Sequence, residues 1–313
     1  MALTVAVLMG GKSAEREVSI ETGTAICVAL TELGHRVVEI DVDRNLPERL
    51  LAGRPDVAFL ALHGRGGEDG TIQGLLEVMR IPYTGSGVLA SAVTMDKVVT
   101  KEILRYHGIP TAPDLVVNRG EHYEEVAVDV ERELSFPVMV KPACEGSSIG
   151  VTEVRAASEL SSALDRVFAS DCRALVERFI SGRLLTVGIL GRKPLVLPVL
   201  EIKPHQGFYD YRAKYEPGMT DYEVPADIAP EVASLAQDIS LRAFDILGCE
   251  DVSRVDLILE DESQELIFLE INTIPGMTQT SLLPKAASAR GMEFGEVVSM
   301  ILDGARLKTD MPG

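Results

Sequence analysis

The stretch Ser253–Thr278 decides the fold; it reads SRVDLILEDESQELIFLEINTIPGMT. Apolar and polar side chains alternate at its start and again towards its end, which is the pattern of β-strands with one buried face. If the polar break between these two runs closes a hairpin of about five loop residues, Asp256 lies opposite Glu270 and Arg254 lies opposite Asn272. The sequence therefore predicts a hairpin that carries two carboxylates, an amide and a guanidinium on one face.

This polar face has two interpretations. Neighbouring carboxylates repel each other unless a proton or a metal ion lies between them, and an all-oxygen set of Asp, Glu and Asn suits Mg²⁺ shared with nucleotide phosphates better than it suits zinc. Alternating charges are also common on the exposed face of an antiparallel sheet, where water alone solvates them. The hairpin by itself leaves both interpretations open.

Composition sets the limits on function. The chain has 313 residues, of which 46% are hydrophobic and 25% are charged, enough for a large core and for more than one domain. Its 30 basic and 48 acidic residues give a net charge of −18, which argues against a nucleic-acid or anionic-membrane surface. An anionic small molecule would therefore need basic side chains gathered at one place.

The cysteines and the N-terminal segment indicate the compartment. The four cysteines have no CxxC spacing, so neither a zinc site nor a disulfide framework is predicted. The apolar run at residues 3–9 is too short for a signal peptide and lacks a basic flank. We expect a reducing, cytoplasmic environment.

The N-terminal segment is predicted to be a parallel βαβ unit. An apolar strand at residues 3–9 leads through Gly10 and Gly11 into a helix that ends at Gly34, and a second strand follows at once. Neither a Walker loop nor a dinucleotide fingerprint fits the turn. Glu15 in this turn, and His63 at the start of the glycine-rich run HGRGGEDG, both follow a strand, where open α/β sheets bind ligands. The alternatives are a solvated turn and a structural histidine.

The middle of the chain carries a second candidate site. A strand at residues 136–142 includes Lys141 and is followed by EGSSIG at residues 145–150. Backbone N–H groups, hydroxyls and a lysine together can hold a phosphate. We place domain boundaries near residues 95 and 182, which gives segments 1–95, 96–182 and 183–313. The tyrosine-rich loop at residues 205–220 suits a lid over the site.

Seven motifs together resemble the D-alanine:D-alanine ligases of the ATP-grasp fold, in the family's order and over nearly the whole chain. They are GGKSAEREVS from residue 10, HGRGGEDG from residue 63, YTGSG from residue 83, MDK from residue 95, KPACEGSS from residue 141, YDYRAKY from residue 209, and RVD with EINT from residues 254 and 270. The resemblance implies an α/β, three-domain ATP-grasp architecture whose N-terminal domain is the parallel βαβ unit. It also implies ATP- and Mg²⁺-dependent joining of two D-alanines through an acylphosphate, for peptidoglycan precursor synthesis, by a cytoplasmic homodimer.

The same resemblance implies a role for each matching residue. Two Mg²⁺ ions, or Mn²⁺ in their place, would be held by Asp256, Glu270 and Asn272. ATP would be held by Lys97, Lys141 and Lys214 at its phosphates, and by Glu177, Ile180 and Phe208 elsewhere. D-Alanine and the reacting groups would be held by Glu15, His63, Ser147, Tyr215, Arg254, Gly276, Ser281 and Leu282, with Glu15 at the first ammonium and with Arg254 and the Gly276 N–H at the oxyanion.

One departure and several alternatives remain. The family usually has an acidic residue where this chain has Leu184, so the resemblance implies one polar contact fewer on the nucleotide side. A D-alanine:D-lactate ligase commonly has Phe at the position of Tyr215, which favours the dipeptide. Another ATP-grasp carboxylate:amine ligase would lack the His63 motif and the tyrosine run. A catalytically silent ATP-binding regulator would be expected to have lost one of the three metal-binding positions.

Overall fold

The first sheet is the predicted parallel unit. The computed structural model describes residues 2–146, 150–205, 209, 213–214, 216, 218–278 and 280–309. Its first three strands are β1 (Thr4–Met9), β2 (Arg36–Asp41) and β3 (Val57–Leu60), which pair in parallel in the order β2-β1-β3. Helices α1 (Arg16–Glu32), α2 (Leu46–Gly53), α3 (Thr71–Met79) and α4 (Val88–Met95) accompany it. The predicted βαβ topology is confirmed.

The turn after β1 is fixed by local hydrogen bonds. Gly10 and Gly11 have φ angles of +76° and +79°, which residues with a Cβ atom rarely adopt. The buried hydroxyl of Ser19 accepts from the Gly10 N–H at 2.8 Å and donates to the carbonyl of Ala61 at 2.7 Å. This one side chain therefore joins the turn, α1 and the loop after β3 at the carboxyl edge of the sheet.

The second sheet is antiparallel and lies in the middle of the chain. Its strands are β4 (Asp114–Asn118), β5 (Val138–Pro142), β6 (Thr152–Val154) and β7 (Arg173–Arg178), in the order β4-β7-β5-β6. Helix α5 (Lys97–Tyr106) precedes it, and α6 (Tyr123–Glu133) and α7 (Ala157–Phe168) pack on one face. Asp96 caps α5, because its carboxylate accepts from the N–H groups of Val98 and Val99.

The third sheet contains the hairpin that the sequence predicts. Its strands are β8 (Gly182–Leu190), β9 (Leu195–Val196), β10 (Leu200–Pro204), β11 (Thr220–Glu223), β12 (Val252–Glu260) and β13 (Leu266–Asn272), in the order β11-β10-β8-β12-β13 with β9 against β8. The register places Arg254 opposite Asn272 and Asp256 opposite Glu270, as predicted. Helices α8 (Pro230–Ile246), α9 (Leu282–Ser288) and α10 (Phe294–Asp303) complete the fold.

The N-terminal core is completed by the C-terminal end of the chain. Val298 and Leu302 of α10 belong to the same buried cluster as Val5 and Ile26 of the first sheet. The segment after α10 continues this contact, since Arg306 pairs with Tyr83 through a backbone bridge. The predicted boundary near residue 182 falls between β7 and β8, which belong to different sheets, and the one near residue 95 falls between helices α4 and α5. Both boundaries stay predictions.

Some observed strand ends differ from the predicted ones. The strand predicted at residues 136–142 begins at Val138, and the strand predicted at residues 3–9 begins at Thr4. Strand β8 begins at Gly182, which has no Cβ to obstruct the close approach of the Leu259 carbonyl. Among the described helices, none is both long and apolar enough to cross a membrane.

Candidate active site

A cavity of about 630 Å³ separates the second sheet from the third. One wall comes from β5, β7 and the loop that follows β7, and the other from β8, β10, β12 and β13. The sequence-predicted residues that line it are Lys97, Lys141, Glu177, Ile180, Lys214, Asp256 and Glu270. The cavity therefore joins side chains that lie up to 173 positions apart in the chain, as Lys97 and Glu270 do.

Asp256 is held by hydrogen bonds on both carboxylate oxygens. Its Oδ1 accepts from Arg254 Nε at 2.9 Å and from the Thr186 hydroxyl at 2.6 Å. Its Oδ2 accepts from Arg254 Nη2 at 2.7 Å and from the Asn272 amide at 3.3 Å. The hairpin face thus forms one connected polar group at the floor of the cavity.

Glu270 is surrounded by cations. Its carboxylate lies 3.6 Å from Lys97 Nζ. Burial alone would raise the pKa of Glu270, but the charges of Lys97, Lys214 and Lys141 outweigh burial and lower that pKa to about 2. Glu270 is therefore ionised throughout the physiological range.

Three lysines converge on the same cavity from different elements. Lys97 donates to the carbonyl of Glu145 at 2.6 Å, and Lys141 pairs with the carboxylate of Glu177. Lys214 lies with its Nζ 5.4 Å from the centre of the Tyr209 ring. Burial lowers the pKa of Lys214, because desolvation disfavours the charged form of its side chain. Such a set suits a ligand with several negative charges.

An apolar surface adjoins these charges. Ile180, Ala112, Ile258 and Ile267 form a buried cluster against which Leu184 and Leu269 pack. Leu184 lies between Ile202 and Ile258 in the sheet register and lines the cavity. The cavity thus has an anion-binding end and an apolar end, as a nucleotide requires.

His63 and Glu15 lie beside each other at the carboxyl edge of the first sheet. His63 Nε2 is 3.3 Å from the Thr22 hydroxyl, and the Ser13 hydroxyl donates to the His63 carbonyl at 2.7 Å. Burial, assisted by the charge of Arg254, lowers the pKa of His63 to about 4, so its imidazole is neutral. Glu15 is also buried, and a Cβ on Gly64 would lie 2.7 Å from its Oε2.

Glu68 is a site residue that sequence reasoning missed. Its carboxylate accepts from the N–H of Gly64 at 2.7 Å and from the N–H of Ile274 at 3.3 Å, so it joins the loop after β3 to the turn after β13. Burial and then the charge of Glu15 raise the pKa of Glu68 to about 8. The only signal in the sequence is an acidic residue inside the glycine-rich run.

The turn after β13 holds the remaining predicted residues. The Ser281 hydroxyl accepts from the N–H of Thr278 at 3.0 Å, and a Cβ on Gly276 would lie 3.0 Å from Ser281 Oγ. Leu282 packs against Leu200 and Ile202, so its side chain supports the turn from the sheet. Gly276 and Ser281 are thus adjacent.

Three predicted residues, Ser147, Phe208 and Tyr215, lie outside the described residues. Within the described ranges, no three His, Cys, Asp or Glu side chains form a group that could hold a metal ion by themselves. The predicted metal set contains only two such residues, Asp256 and Glu270, with the amide of Asn272 as the third. Any metal bound here would need further oxygens from water or a ligand.

Comparisons with known proteins agree with this geometry. A family model described as "D-ala D-ala ligase C-terminus" matches residues 103–303, and one described as "D-ala D-ala ligase N-terminus" matches residues 46–86. The D-alanine--D-alanine ligase of Syntrophotalea carbinolica is 50% identical over 304 residues, covering 97% of this chain and 96% of that protein. The Aquifex aeolicus protein of the same name is 47% identical over 303 residues, covering 96% of this chain and 100% of the relative.

Solved structures are similar over the same length. The Bacillus anthracis D-alanine--D-alanine ligase complexed with ATP has a TM-score of 0.83 at 35% identity and covers 97% of both chains. The Coxiella burnetii D-alanine-D-alanine ligase has a TM-score of 0.81 at 28% identity, covering 97% of this chain and 93% of that one.

Proposed function

This chain belongs to the D-alanine–D-alanine ligase family, and we propose that it joins two D-alanines through an acylphosphate formed in the cavity between the second and third sheets. The enzyme is an ATP-dependent ligase of the ATP-grasp fold. The observation that carries the proposed mechanism is the cross-strand pair Asp256 and Glu270, which faces three converging lysines.

The chemistry explains why such a site is needed. A carboxylate is a poor electrophile, so the first D-alanine must be activated before an amine can attack it. One of its carboxylate oxygens takes the γ-phosphoryl group of ATP, which releases ADP and leaves an acylphosphate. The nitrogen of the second D-alanine, having lost a proton, attacks the acyl carbon, and phosphate departs as the C–N bond forms. The ammonium groups of Lys97, Lys141 and Lys214 spread the negative charge on the transferred group.

Mg²⁺ is the cofactor that the donor set fits. Asp256 and Glu270 supply ionised carboxylates and Asn272 supplies an amide oxygen, and Mg²⁺ commonly takes one or two carboxylates together with substrate phosphates and water. When bound, the ion neutralises charge on the phosphates. Two Mg²⁺ ions, or Mn²⁺, remain part of this proposal.

The substrate end of the site lies between the first sheet and the turn after β13. We assign Glu15 to the ammonium of the first D-alanine, with the neutral His63 beside it. Arg254 and the N–H of Gly276 are assigned to the oxyanion that forms on attack, and losing one such donor typically costs about 10² to 10³ in rate. Ser281 and Leu282 are assigned to the second D-alanine.

Other assignments rest on the sequence resemblance. These are the roles of Ser147, Tyr215 and Phe208, a homodimer, and action on a precursor of peptidoglycan. The lid at residues 205–220 rests on the tyrosines of that loop, and action in the cytoplasm rests on the cysteines and the N-terminal segment. Preference for the dipeptide over the D-lactate ester rests on Tyr215. A silent regulator is disfavoured because Asp256, Glu270 and Asn272 are all present.

Substrate choice tests the proposal. Phosphate release is measured with ATP and Mg²⁺ in the presence of D-alanine, of L-alanine, and of D-alanine with D-lactate, and the products are identified by mass spectrometry. We expect phosphate and D-alanyl-D-alanine in equal amounts with D-alanine, and neither with L-alanine. A depsipeptide as the main product would assign the D-lactate ligase instead, and turnover with an unrelated amine would assign another carboxylate:amine ligase.

A further inference from the structure

A buried lysine lies behind the nucleotide wall of the cavity. Lys101 follows Lys97 by one helical turn on α5 and is 1% exposed. Its ammonium has three N–H donors, and three oxygens surround it: the carbonyl of Ala112 at 2.9 Å, Asp114 Oδ1 at 2.9 Å, and Glu177 Oε1. A charge this deeply buried is tolerated only when it is fully paired. Lys101 does not line the cavity.

Glu177 connects this lysine to the cavity. It is 4% exposed on β7, and while one of its oxygens accepts from Lys101, the other pairs with Lys141. Burial would raise the pKa of Glu177, but Lys141 and Lys101 together lower it. One carboxylate therefore holds two ammonium groups, one behind the wall and one facing the cavity.

The charge balance of this group matters for an anionic ligand. Lys101, Lys141 and Glu177 together carry one net positive charge. Without Lys101, Lys141 and Glu177 would form a neutral pair, and Lys141 would attract a phosphate less strongly. Asp114 does not alter this balance, because Arg105 also pairs with it, at 2.5 Å.

We propose that Lys101 is a positioning residue for ATP: it holds the Glu177 carboxylate from behind, so that Lys141 is fixed at the cavity with part of its charge still available to the phosphates. This inference rests on the proposed function for the identity of the ligand. It assigns Lys101 no contact with ATP and no part in binding D-alanine.

The test compares two variants that each remove a cation from Asp114. Lys101→Met also removes one of the two cationic partners of Glu177, whereas Arg105→Met leaves both in place, and Arg105 is 48% exposed. The dissociation constant of ATP with Mg²⁺ is measured by calorimetry without D-alanine, and the KM values for ATP and D-alanine are measured separately. We expect Lys101→Met to weaken ATP binding and raise the KM for ATP by about tenfold or more, with the KM for D-alanine unchanged. Arg105→Met should change the dissociation constant of ATP and the KM for ATP by less than about threefold, because an exposed ion pair contributes little.

Lys101→Gln covers the case in which Lys101→Met does not fold, because its amide N–H groups can still donate to the oxygens that surround Lys101. It removes the positive charge and leaves Glu177, which lines the cavity, unaltered. We expect Lys101→Gln to fold and to bind ATP about tenfold or more weakly than the unaltered protein, since Lys141 and Glu177 then form a neutral pair.

Three results would overturn the role of Lys101. They are wild-type ATP binding by a folded Lys101→Met, an equal loss of ATP binding in Arg105→Met, and wild-type ATP binding by a folded Lys101→Gln. Failure of the unaltered protein to bind ATP would instead refute the proposed function, so the two failures are distinguishable.

Discussion

Asp256 lies directly opposite Glu270 on adjacent antiparallel strands, and the β-bulge that follows Asp256 interrupts the register immediately beyond the pair. The two carboxylates are thus held by paired backbone and not by a loop. Because Thr186 on β8 also donates to Asp256, three neighbouring strands fix the geometry of this face. A site on rigid strands can maintain two carboxylates at a separation suited to a shared cation.

We predict that Asp256→Asn or Glu270→Gln lowers kcat by about 10² or more, because each removes a carboxylate from the proposed metal site. The fold should survive, since each change keeps the shape of the side chain and relieves repulsion between neighbouring carboxylates. The measurement is kcat at millimolar Mg²⁺, with circular dichroism to check folding. The control is Glu260→Gln, which lies on the same strand as Asp256 but outside the Asp256–Glu270 pair. Near-normal turnover by a variant with both Asp256→Asn and Glu270→Gln would refute the metal assignment.

Glu68 should make the protein less stable as the pH rises. The Glu68 carboxyl has a pKa of about 8 in the folded chain, against 4.5 in the unfolded chain. Between these two pH values the folded chain therefore keeps a proton on Glu68 that the unfolded chain has lost. Stability from this group is therefore greatest below pH 4.5 and falls between about pH 4.5 and 8. In Glu68→Gln the thermal midpoint should fall less over pH 5 to 8 than in the unaltered protein. Parallel pH profiles for the two proteins would contradict the buried, protonated state of Glu68.

Leu184 gives the nucleotide side of the cavity an apolar side chain at a position where the sequence resemblance implies an acidic one. We predict that Leu184→Glu lowers the KM for ATP by about two- to tenfold, the effect of one added hydrogen bond, and leaves the KM for D-alanine unchanged. Leu184→Met controls for the change in shape. An unchanged or raised KM for ATP would mean that position 184 makes no contact with the nucleotide, or that another residue compensates for the absent acidic contact.

Tyr83 should stabilise the contact between the N-terminal core and the C-terminal segment. Its fully buried hydroxyl donates to Glu77 Oε1 at 2.9 Å, and Glu77 also accepts from the N–H of Lys308 at 2.7 Å. Tyr83→Phe should therefore lower the free energy of unfolding by about 1 to 3 kcal/mol, since it removes one partner from a buried carboxylate.

Tyr123→Phe is the matched control for this change, because its hydroxyl donates to Asp165 at 2.9 Å in an exposed setting. We expect a loss below about 0.5 kcal/mol for this variant. Equal losses of unfolding free energy in the two variants, measured by urea unfolding, would show that the buried Tyr83 hydrogen bond stabilises the fold no more than the exposed Tyr123 hydrogen bond does.

The sequence was sufficient for contacts that local rules determine. Alternation of side chains and the length of one loop fix the register of β12 and β13, so Asp256 and Glu270 could be paired in advance. Lys101 and Glu177 are 76 positions apart, and Glu68 and Ile274 are 206 positions apart. Both contacts depend on how sheets and loops pack against each other, which no local pattern encodes. The same reason applies to α10, which lies in the predicted segment 183–313 and packs against the first sheet.

Transfer of the γ-phosphoryl group to the first D-alanine leaves an isotopic record. With ¹⁸O in both carboxylate oxygens of D-alanine, the acylphosphate contains a labelled oxygen between carbon and phosphorus, and that oxygen departs with the phosphate when the amine attacks. Mass spectrometry of the inorganic phosphate formed by the unaltered enzyme should therefore find one ¹⁸O atom for each D-alanyl-D-alanine made. Dipeptide formed together with unlabelled phosphate would contradict activation of the carboxylate in this cavity.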